Sequence, residues 1–453
     1  MKNVRLMTAF AAAAFMVAGT TTPTVVTAAE LTTAHVKEAV PPGFKVMISE
    51  LEGPIYTLTD GRPVYQWPRK ELRNGGSGDV RTSMSACEDT KNTLNEGFMS
   101  PYPAGLELPD LDRRPTCIES WPPVMAPADA KPVGKWTLIP RRDKSKQWAY
   151  DGFVLYTAKI DVGREPGVPL GGTRGAGRGG DGPVARIPIG PPADIPGQFI
   201  IDRGDAGHQL ALVGGVFVYT FDKDGPNKSN CDAVCELEFH PVLAPQIGVQ
   251  AREDWSIIER SPGVKQWAYR KKPLYTYAED PGPGYQEGVD VKGWNIVFTQ
   301  KAPAPPKSFT YQDTPAGVVL ADAKGHAVYA YNCGDDAMDQ LSCDHPDTPQ
   351  QYRYAVCGGG DPLRCAKNFP YIVATKDDKA PNKTWTIVEI DPATGKYPTA
   401  GSQSLRVWAF RDRPVYTFYK DEPGTVLAGA WGEFYGARNG YRSFWIRQEF
   451  NGR

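Results

Sequence analysis

The chain contains little histidine, little net charge and little uninterrupted apolar sequence. Its 453 residues include five histidines and carry a formal net charge of -1. Because no basic excess is present, the sequence lacks the electrostatic footprint of a nucleic-acid partner. It also lacks a Cys-x-x-Cys-His haem attachment, a zinc-protease helix motif and a Gly-x-Ser-x-Gly elbow. We therefore predict no nucleic-acid partner, no cofactor and no catalytic residue of these kinds.

The longest apolar stretch lies at the beginning of the chain. Lys2 and Arg5 precede an apolar run over residues 6–19, and small residues follow at 27–29. A run of about 14 residues is too short for a transmembrane helix, which needs about 20. The pattern predicts a signal peptide over 1–29, cleaved near Ala29. We therefore expect an exported protein, periplasmic or extracellular, without a transmembrane span.

Export places eight cysteines in an oxidising compartment, where an even number favours disulfides. The preferred pairs are Cys87–Cys117, Cys231–Cys235, Cys343–Cys365 and Cys333–Cys357, the last two being one of three possible arrangements of four cysteines.

A short aromatic phrase recurs along the chain and is usually followed by an aspartate. Its copies centre on Tyr65, Tyr156, Tyr219, Tyr275, Tyr329 and Tyr416. An aspartate stands five residues later at Asp161, Asp224, Asp280 and Asp421. The copy at Tyr329 reaches Asp335 one residue later, and Lys70 replaces the aspartate after Tyr65. Such repetition indicates that one supersecondary unit has been copied along the chain.

Two kinds of unit, A and B, alternate three times. In an A unit a glycine stands four residues before the tyrosine, and cysteines and an aromatic-proline segment follow. In a B unit a second tryptophan precedes the tyrosine by eight residues, at Trp148, Trp267 and Trp408. This fixed spacing predicts a tight hairpin. The short β-branched and aromatic segments between Gly, Pro, Asp and Asn predict an all-β fold.

Two linker-like stretches divide the chain into three A–B pairs. The first is rich in Gly, Pro and Arg, and the second is rich in Pro. The predicted division is pair 1 at 30–162, a linker at 163–198, pair 2 at 199–300, a linker at 301–308 and pair 3 at 309–453. Each pair holds enough strands for a small barrel or a sandwich of antiparallel sheets. The alternative is one propeller built from six units.

These motifs resemble a bacterial tandem-repeat family, secreted or lipoprotein, of unknown function. Its units carry a Tyr-x-(Phe/Trp/Tyr)-x-x-Asp motif, matched here by Tyr219, Phe221 and Asp224 and by Tyr275, Tyr277 and Asp280. Departures from the pattern include Lys70 after Tyr65, Ala158 after Tyr156, and the absence of a lipid-carrying cysteine. The resemblance implies a fold and an exported location, but no activity.

The chemical groups of the motif allow a structural and a functional interpretation. The aspartates are expected to accept backbone amides in the turn after each strand, with calcium binding as the alternative. Cys231 and Cys235 are expected to form a disulfide, while a metal site with His240 and Asp224 is the alternative. The abundant Trp and Tyr residues are expected to fill β-sheet cores, with stacking on flat ligands as the alternative.

We therefore expect an exported, non-enzymatic β-repeat protein with a binding or structural role in the cell envelope, whose partner is an envelope polymer or a protein. One alternative is a periplasmic metal or redox protein that uses the cysteine-rich A units. A weaker alternative is a polysaccharide hydrolase with two facing carboxylates.

Overall fold

A computed structural model describes residues 33–66, 117–171, 187–247, 252–332, 345–348, 350–428 and 440–448. The predicted signal peptide, Cys87, Cys333 and Cys343 lie outside these residues. Strands make up 39% of the structure and helices 8%, which confirms the all-β prediction. In the described part of the chain, no helix is long and apolar enough to cross a membrane.

The described strands can be grouped by the three predicted pairs, with the short strand Ile187–Pro188 of the predicted linker 163–198 placed beside the first pair. In the first pair they are β1 (Phe44–Ser49), β2 (Gly53–Leu58), β3 (Tyr65–Gln66), β4 (Trp136–Pro140), β5 (Lys146–Tyr150), β6 (Phe153–Tyr156) and β7 (Ile187–Pro188). In the second they are β8 (Phe199–Gly204), β9 (Gly207–Leu212), β10 (Tyr219–Phe221), β11 (Phe239–Pro241), β12 (Trp255–Ser261), β13 (Val264–Tyr269), β14 (Lys272–Pro273), β15 (Tyr275–Tyr277), β16 (Trp294–Ile296) and β17 (Phe298–Lys301). In the third they are β18 (Thr310–Thr314), β19 (Gly317–Ala321), β20 (Tyr329–Asn332), β21 (Trp385–Ile390), β22 (Leu405–Phe410), β23 (Arg413–Tyr416), β24 (Gly440–Ser443) and β25 (Trp445–Gln448).

Helices are short and lie mainly near cysteines. They are α1 (Cys117–Ser120), α2 (Gln351–Gly358) and α3 (Pro362–Asn368), with single 3-10 turns at Lys159–Asp161, Cys235–Leu237 and Glu287–Asp290.

A and B units share their sheets. The strand order is β4-β5-β6-β3-β7 in the first pair and β21-β22-β23-β20-β24 in the third. In the second pair, the sheet β11-β15-β10-β16 again joins strands of both units. The described sheets therefore do not divide into six separate blades, and they form no closed barrel. The propeller and the small barrel are wrong, because each unit completes its sheet with strands of its partner unit.

The predicted hairpin follows the second tryptophan of each B unit. Its loop is Asp151–Gly152, Arg270–Lys271 or Arg411–Asp412, and both loop residues have positive φ in every case. Two consecutive residues with positive φ are the mark of a type I′ turn, whose twist matches that of the flanking strands. The eight-residue spacing predicted from sequence is thus confirmed as a two-residue hairpin.

Two cores lie on opposite sides of the strand that carries the phrase. In the second pair, Tyr219 packs with Phe239, Tyr275 and Trp294 in one cluster. Val218, the preceding residue, belongs to the other cluster, which contains Trp255 and Trp267. This alternation follows from the period of two in a strand. The expectation that the tryptophans fill cores is supported by Trp148, Trp267 and Trp408, which are each 2–3% exposed.

Each pair begins with a hairpin that the phrase did not reveal. Phe44, Phe199 and Phe309 stand at its first strand, 20 or 21 residues before the A-unit tyrosine. Each phenylalanine packs on both tryptophans of its B unit, with ring centroids 4.5–6.0 Å apart. The recurring Phe at this distance was the sequence signal for the hairpin.

Both linker-like stretches pack against the pairs at their described ends. Leu170 is buried in the core of the first pair, and Ile187–Pro188 forms a strand beside Tyr65. In the second stretch the Ala302 amide donates to Ala206 O at 2.9 Å. The described ends of these two stretches therefore contribute to neighbouring sheets and cores.

Candidate functional site

The tyrosines of the A and B units lie opposite each other in every pair. Antiparallel registers join Tyr65 to Tyr156, Tyr219 to Tyr275, and Tyr329 to Tyr416. All six side chains are fully buried. The facing tyrosines therefore mark the place where the A and B units meet, inside the sheet that the two units share.

In each pair, the tyrosine hydroxyl of the A unit donates to the aspartate of the B unit. Tyr65 donates to Asp161 at 2.7 Å, Tyr219 to Asp280 at 2.7 Å, and Tyr329 to Asp421 at 2.5 Å. The second pair also contains the reciprocal bond, from Tyr275 to Asp224 at 2.9 Å. Lys70 and Asp335, the counterparts in the other pairs, lie outside the described residues. We call these contacts the crossed Tyr–Asp bonds.

The second carboxylate oxygen of each aspartate accepts backbone amides from the loop that follows. Asp161 accepts the amides of Leu170 and Gly171 at 2.9 and 3.2 Å. The amides of Asn230, Glu287 and Leu427 donate in the same way to Asp224, Asp280 and Asp421, at 2.7–2.9 Å. The aspartates thus act as predicted, as acceptors for loop amides, and they also tie the loop to the opposite unit.

Burial dominates the electrostatics of these groups. It raises the pKa of Asp161 to about 7, although the Tyr65 hydroxyl and two amides favour the charged form. Burial likewise raises the pKa of Asp224, Asp280 and Asp421. Burial and the neighbouring aspartate raise the pKa of Tyr65 well above its ordinary value. With both groups enclosed, the crossed bonds are suited to holding the fold together and poorly placed to meet a substrate.

The cysteine loop of the second A unit contains a disulfide. Cys231 and Cys235 are bonded, as expected, with their Cα atoms 5.2 Å apart. Arg260 holds the loop by donating to Cys231 O at 2.8 Å. His240 is exposed, and Asp224 is engaged by Tyr275. Among the described residues no group of three or more His, Cys, Asp or Glu side chains is arranged to hold a metal ion.

The cysteines of the third A unit pair differently from the prediction. Cys357 is bonded to Cys365, with Cα atoms 4.7 Å apart. The pairings Cys343–Cys365 and Cys333–Cys357 are therefore wrong. The reason is local: α2 and α3 pack against each other through a turn at Gly359 and Gly360, both with positive φ, and this brings the two cysteines together.

Sequence reasoning missed a cluster of contacts at the turn between β1 and β2. Glu52 forms an ion pair with Arg411 of the third pair and lies 3.8 Å from Arg203 of the second. Glu50 accepts the Lys383 amide at 3.0 Å, and Gln300 Nε2 donates to Glu50 O at 2.6 Å. One turn of the first pair thus contacts both other pairs. We call Ser49–Glu52 the central turn.

Charges around the central turn are partly enclosed. Burial raises the pKa of Glu52, but Arg411 and Arg203 outweigh this effect and hold the pKa below its ordinary value. Burial and the charge of Arg203 lower the pKa of His208 to about 4. No sequence motif marks these residues, since they come from three distant parts of the chain.

A cavity of about 400 Å³ lies beside Leu51, between the second and third pairs. Aromatic side chains form much of its wall. They are Phe298, Tyr311, Trp385, Phe410 and Phe444. Its charged lining residues are Asp205 and Lys301. The crossed Tyr–Asp bonds do not line this cavity, so the repeat motif and the cavity are separate features of the molecule.

Comparison with known proteins supports the resemblance over one part of the chain. A family model described as a secreted repeat of unknown function matches residues 256–297. These residues comprise most of the second B unit, including β16, which pairs with β10 of the A unit. The resemblance inferred from sequence is confirmed there, and a family of secreted repeats agrees with export. Neither the curated proteins nor the solved structures include a match to this chain.

Proposed function

We propose that this chain is an exported, non-enzymatic β-repeat protein whose three A–B pairs act together as a binding scaffold in the cell envelope. The crossed Tyr–Asp bonds carry this proposal. A repeated catalytic centre would need its acid and base groups within reach of a substrate. Here the repeated tyrosines and aspartates bond to each other and to loop amides inside the pairs.

Contacts between pairs support a single scaffold. Glu52 of the central turn forms ion pairs with Arg411 and Arg203. The Gln300 side chain donates to the backbone of the same turn, at Glu50 O. Further contacts join the second and third pairs, where Asp205 accepts the Trp445 amide at 2.8 Å. A protein held in this way presents its surfaces in a fixed arrangement, which lowers the entropic cost of binding. An envelope polymer or an envelope protein is the partner class we propose.

Export and the absence of turnover can be tested with the same protein. We expect the chain to appear outside the cytoplasm with Glu30 as its first residue, as determined by mass spectrometry of the mature protein. Replacing three apolar residues of the run 6–19 by aspartate should retain it in the cytoplasm. Recovery of the unprocessed chain from the exported fraction would contradict the proposal.

The purified mature chain should bind isolated envelope material without consuming it. Co-sedimentation measures binding, and release of soluble sugar or peptide measures turnover. The proposal predicts saturable binding and no release. Release of product that is abolished by a single substitution, such as Asp280→Asn in an otherwise folded protein, would show instead that the motif is catalytic.

A further inference from the structure

We propose that the cavity between the second and third pairs binds a small planar apolar acid. This inference goes beyond the envelope binding proposed above and adds a small-molecule ligand. The cavity measures about 400 Å³, within the range of small-molecule sites. Its wall combines residues of all three pairs, including Leu51 of the central turn. A ligand there would contact each pair at once.

The wall has the chemistry of a site for flat apolar molecules. Trp385, Phe410 and Phe444 pack on one another with ring centroids 5.0–5.3 Å apart, and each also lines the cavity. Such rings bind planar groups through stacked and edge-to-face contacts. Pro303 and Pro305 also line the cavity and add rigid apolar surface. The arrangement loses little conformational freedom when a ligand enters.

The other copies of this region differ in a way that favours a ligand in the third pair. Phe410 occupies the position of Tyr150 in the first B unit and of Tyr269 in the second. In the first pair, the Tyr150 hydroxyl donates to Glu38 at 2.6 Å, and Val40 covers the same aromatic cluster. The third pair has a phenylalanine without this hydroxyl, and it faces the cavity. The polar contact of the first pair is thus replaced by an apolar ring at the cavity wall.

Charge at the cavity points to an acidic ligand. Asp205 already accepts the Trp445 amide and lies 3.8 Å from Arg442. Lys301 lines the cavity and is exposed, with its Nζ 5.6 Å from the centre of the Phe298 ring. It forms no ion pair with any residue in the described ranges. The Asp205 carboxylate therefore already has partners, whereas the Lys301 ammonium can bind an anionic ligand. An acid suits the cavity better than an amine.

Binding of 2-naphthoate tests the inference, with 2-naphthalenemethanol as its neutral counterpart. Quenching of tryptophan fluorescence in the full chain measures both. We expect one saturable site with a dissociation constant of about 10–100 µM for the acid, given its size. Lys301→Gln should weaken naphthoate binding about three- to fivefold and leave the alcohol unchanged. Lys307→Gln, an exposed lysine of the same stretch outside the cavity lining, is the matched control and should change neither.

Ala302→Phe fills the cavity while retaining the backbone bond from Ala302 N to Ala206 O. It should abolish binding of both compounds. An unchanged near-ultraviolet circular dichroism spectrum would show that the variant is folded. If this variant unfolds, Ala304→Phe provides the same test from a neighbouring wall position. No saturable binding to the wild type, or equal binding to a folded filled variant, would overturn the inference. Such a failure would leave export and envelope binding intact, since those are measured by fractionation and co-sedimentation.

Discussion

Tyr219 and Tyr275 lie directly opposite each other across two antiparallel strands, and each donates its hydroxyl to the aspartate that follows the other. The two repeats are therefore interlocked by exchange. In this pair, the tyrosine hydroxyl of each repeat needs the aspartate of the other repeat as its hydrogen-bond acceptor. The recurring phrase therefore joins an A unit to its B unit.

A double-mutant cycle at Tyr65 and Asp161 should measure one crossed bond. Both side chains are buried, at 0% and 3% exposed. Hydrogen bonds to charged groups contribute about 1.5–3 kcal/mol. We expect Tyr65→Phe and Asp161→Asn each to lower the free energy of unfolding by about 1–3 kcal/mol, with a coupling of at least about 1 kcal/mol. Urea denaturation supplies the measurement.

The control for this cycle is Tyr277→Phe. Its hydroxyl donates to Glu279 at 3.1 Å at an exposed site, and it should change stability by less than about 0.5 kcal/mol. Additive effects of Tyr65→Phe and Asp161→Asn would show that the crossed bond does not stabilise the pair.

Stability should depend on pH through Asp161. Its pKa is about 7 in the folded chain against an ordinary value of 3.8, so the folded state holds more protons between these values. This contribution to stability is complete below pH 3.8 and is lost as the pH rises through 7. The wild type should therefore be more stable relative to Asp161→Asn at low pH than at high pH. The difference between their free energies of unfolding should decrease by at most about 4 kcal/mol from pH 4 to pH 8.

Asp143→Asn serves as the comparison, because Asp143 lies in an exposed turn where Ser145 donates to it. Its difference from wild type should remain nearly constant over the same range. A constant difference for Asp161→Asn as well would mean that the carboxyl stays ionised in the folded protein throughout.

Much of the fold follows from local signals, and the inter-unit contacts do not. The eight-residue spacing before Tyr275 specifies a type I′ hairpin because both residues of its loop are local in sequence. The exchange of aspartates between units could not be predicted, because either partner is compatible with the same phrase. Glu52 and Arg411 carried no signal, since an isolated surface-type charge in a sequence does not reveal its distant partner. The pairing of Cys357 with Cys365 depended on a helical turn in an otherwise all-β prediction.

Loss of the central ion pair should uncouple the pairs. Arg411 is 2% exposed and Glu52 15% exposed at their side chains. Removing one partner of an enclosed pair leaves the other charge uncompensated, at a cost of about 3–5 kcal/mol. Glu52→Gln should lower the unfolding free energy by an amount near this range and broaden or split the calorimetric transition. Asp60→Asn, which breaks the exposed pair with Arg62, should cost at most about 1 kcal/mol. Equal effects of the two substitutions would remove the special role of the central turn.

The loop Arg270–Lys271 can be improved. Both residues have positive φ, where Asn and Gly are favoured over long side chains. The combined change Arg270→Asn and Lys271→Gly should stabilise the chain by about 1 kcal/mol, as measured by thermal unfolding. Lys272→Gly, placed in β14 next to the turn, should destabilise it by about 0.5–1 kcal/mol. If the double change destabilised the chain and Lys272→Gly stabilised it, the assignment of a type I′ turn would be contradicted.

Peptide mapping without reduction should recover Cys357 linked to Cys365 and Cys231 linked to Cys235. Cys357→Ala combined with Cys365→Ala should cost about 2–3 kcal/mol, since the closed loop is short. Recovery of Cys343 linked to Cys365 would contradict the pairing found here.

Because the tyrosine of each A unit bonds the aspartate of its B unit, we expect the smallest inheritable piece of this chain to be two repeats long. Gene duplication that copied a single repeat would produce a protein with an orphaned buried tyrosine, whereas copying a pair yields a complete new module. The family model that matches 256–297 therefore describes half of such a module. Wherever that half occurs in another sequence, a second half should be sought beside it.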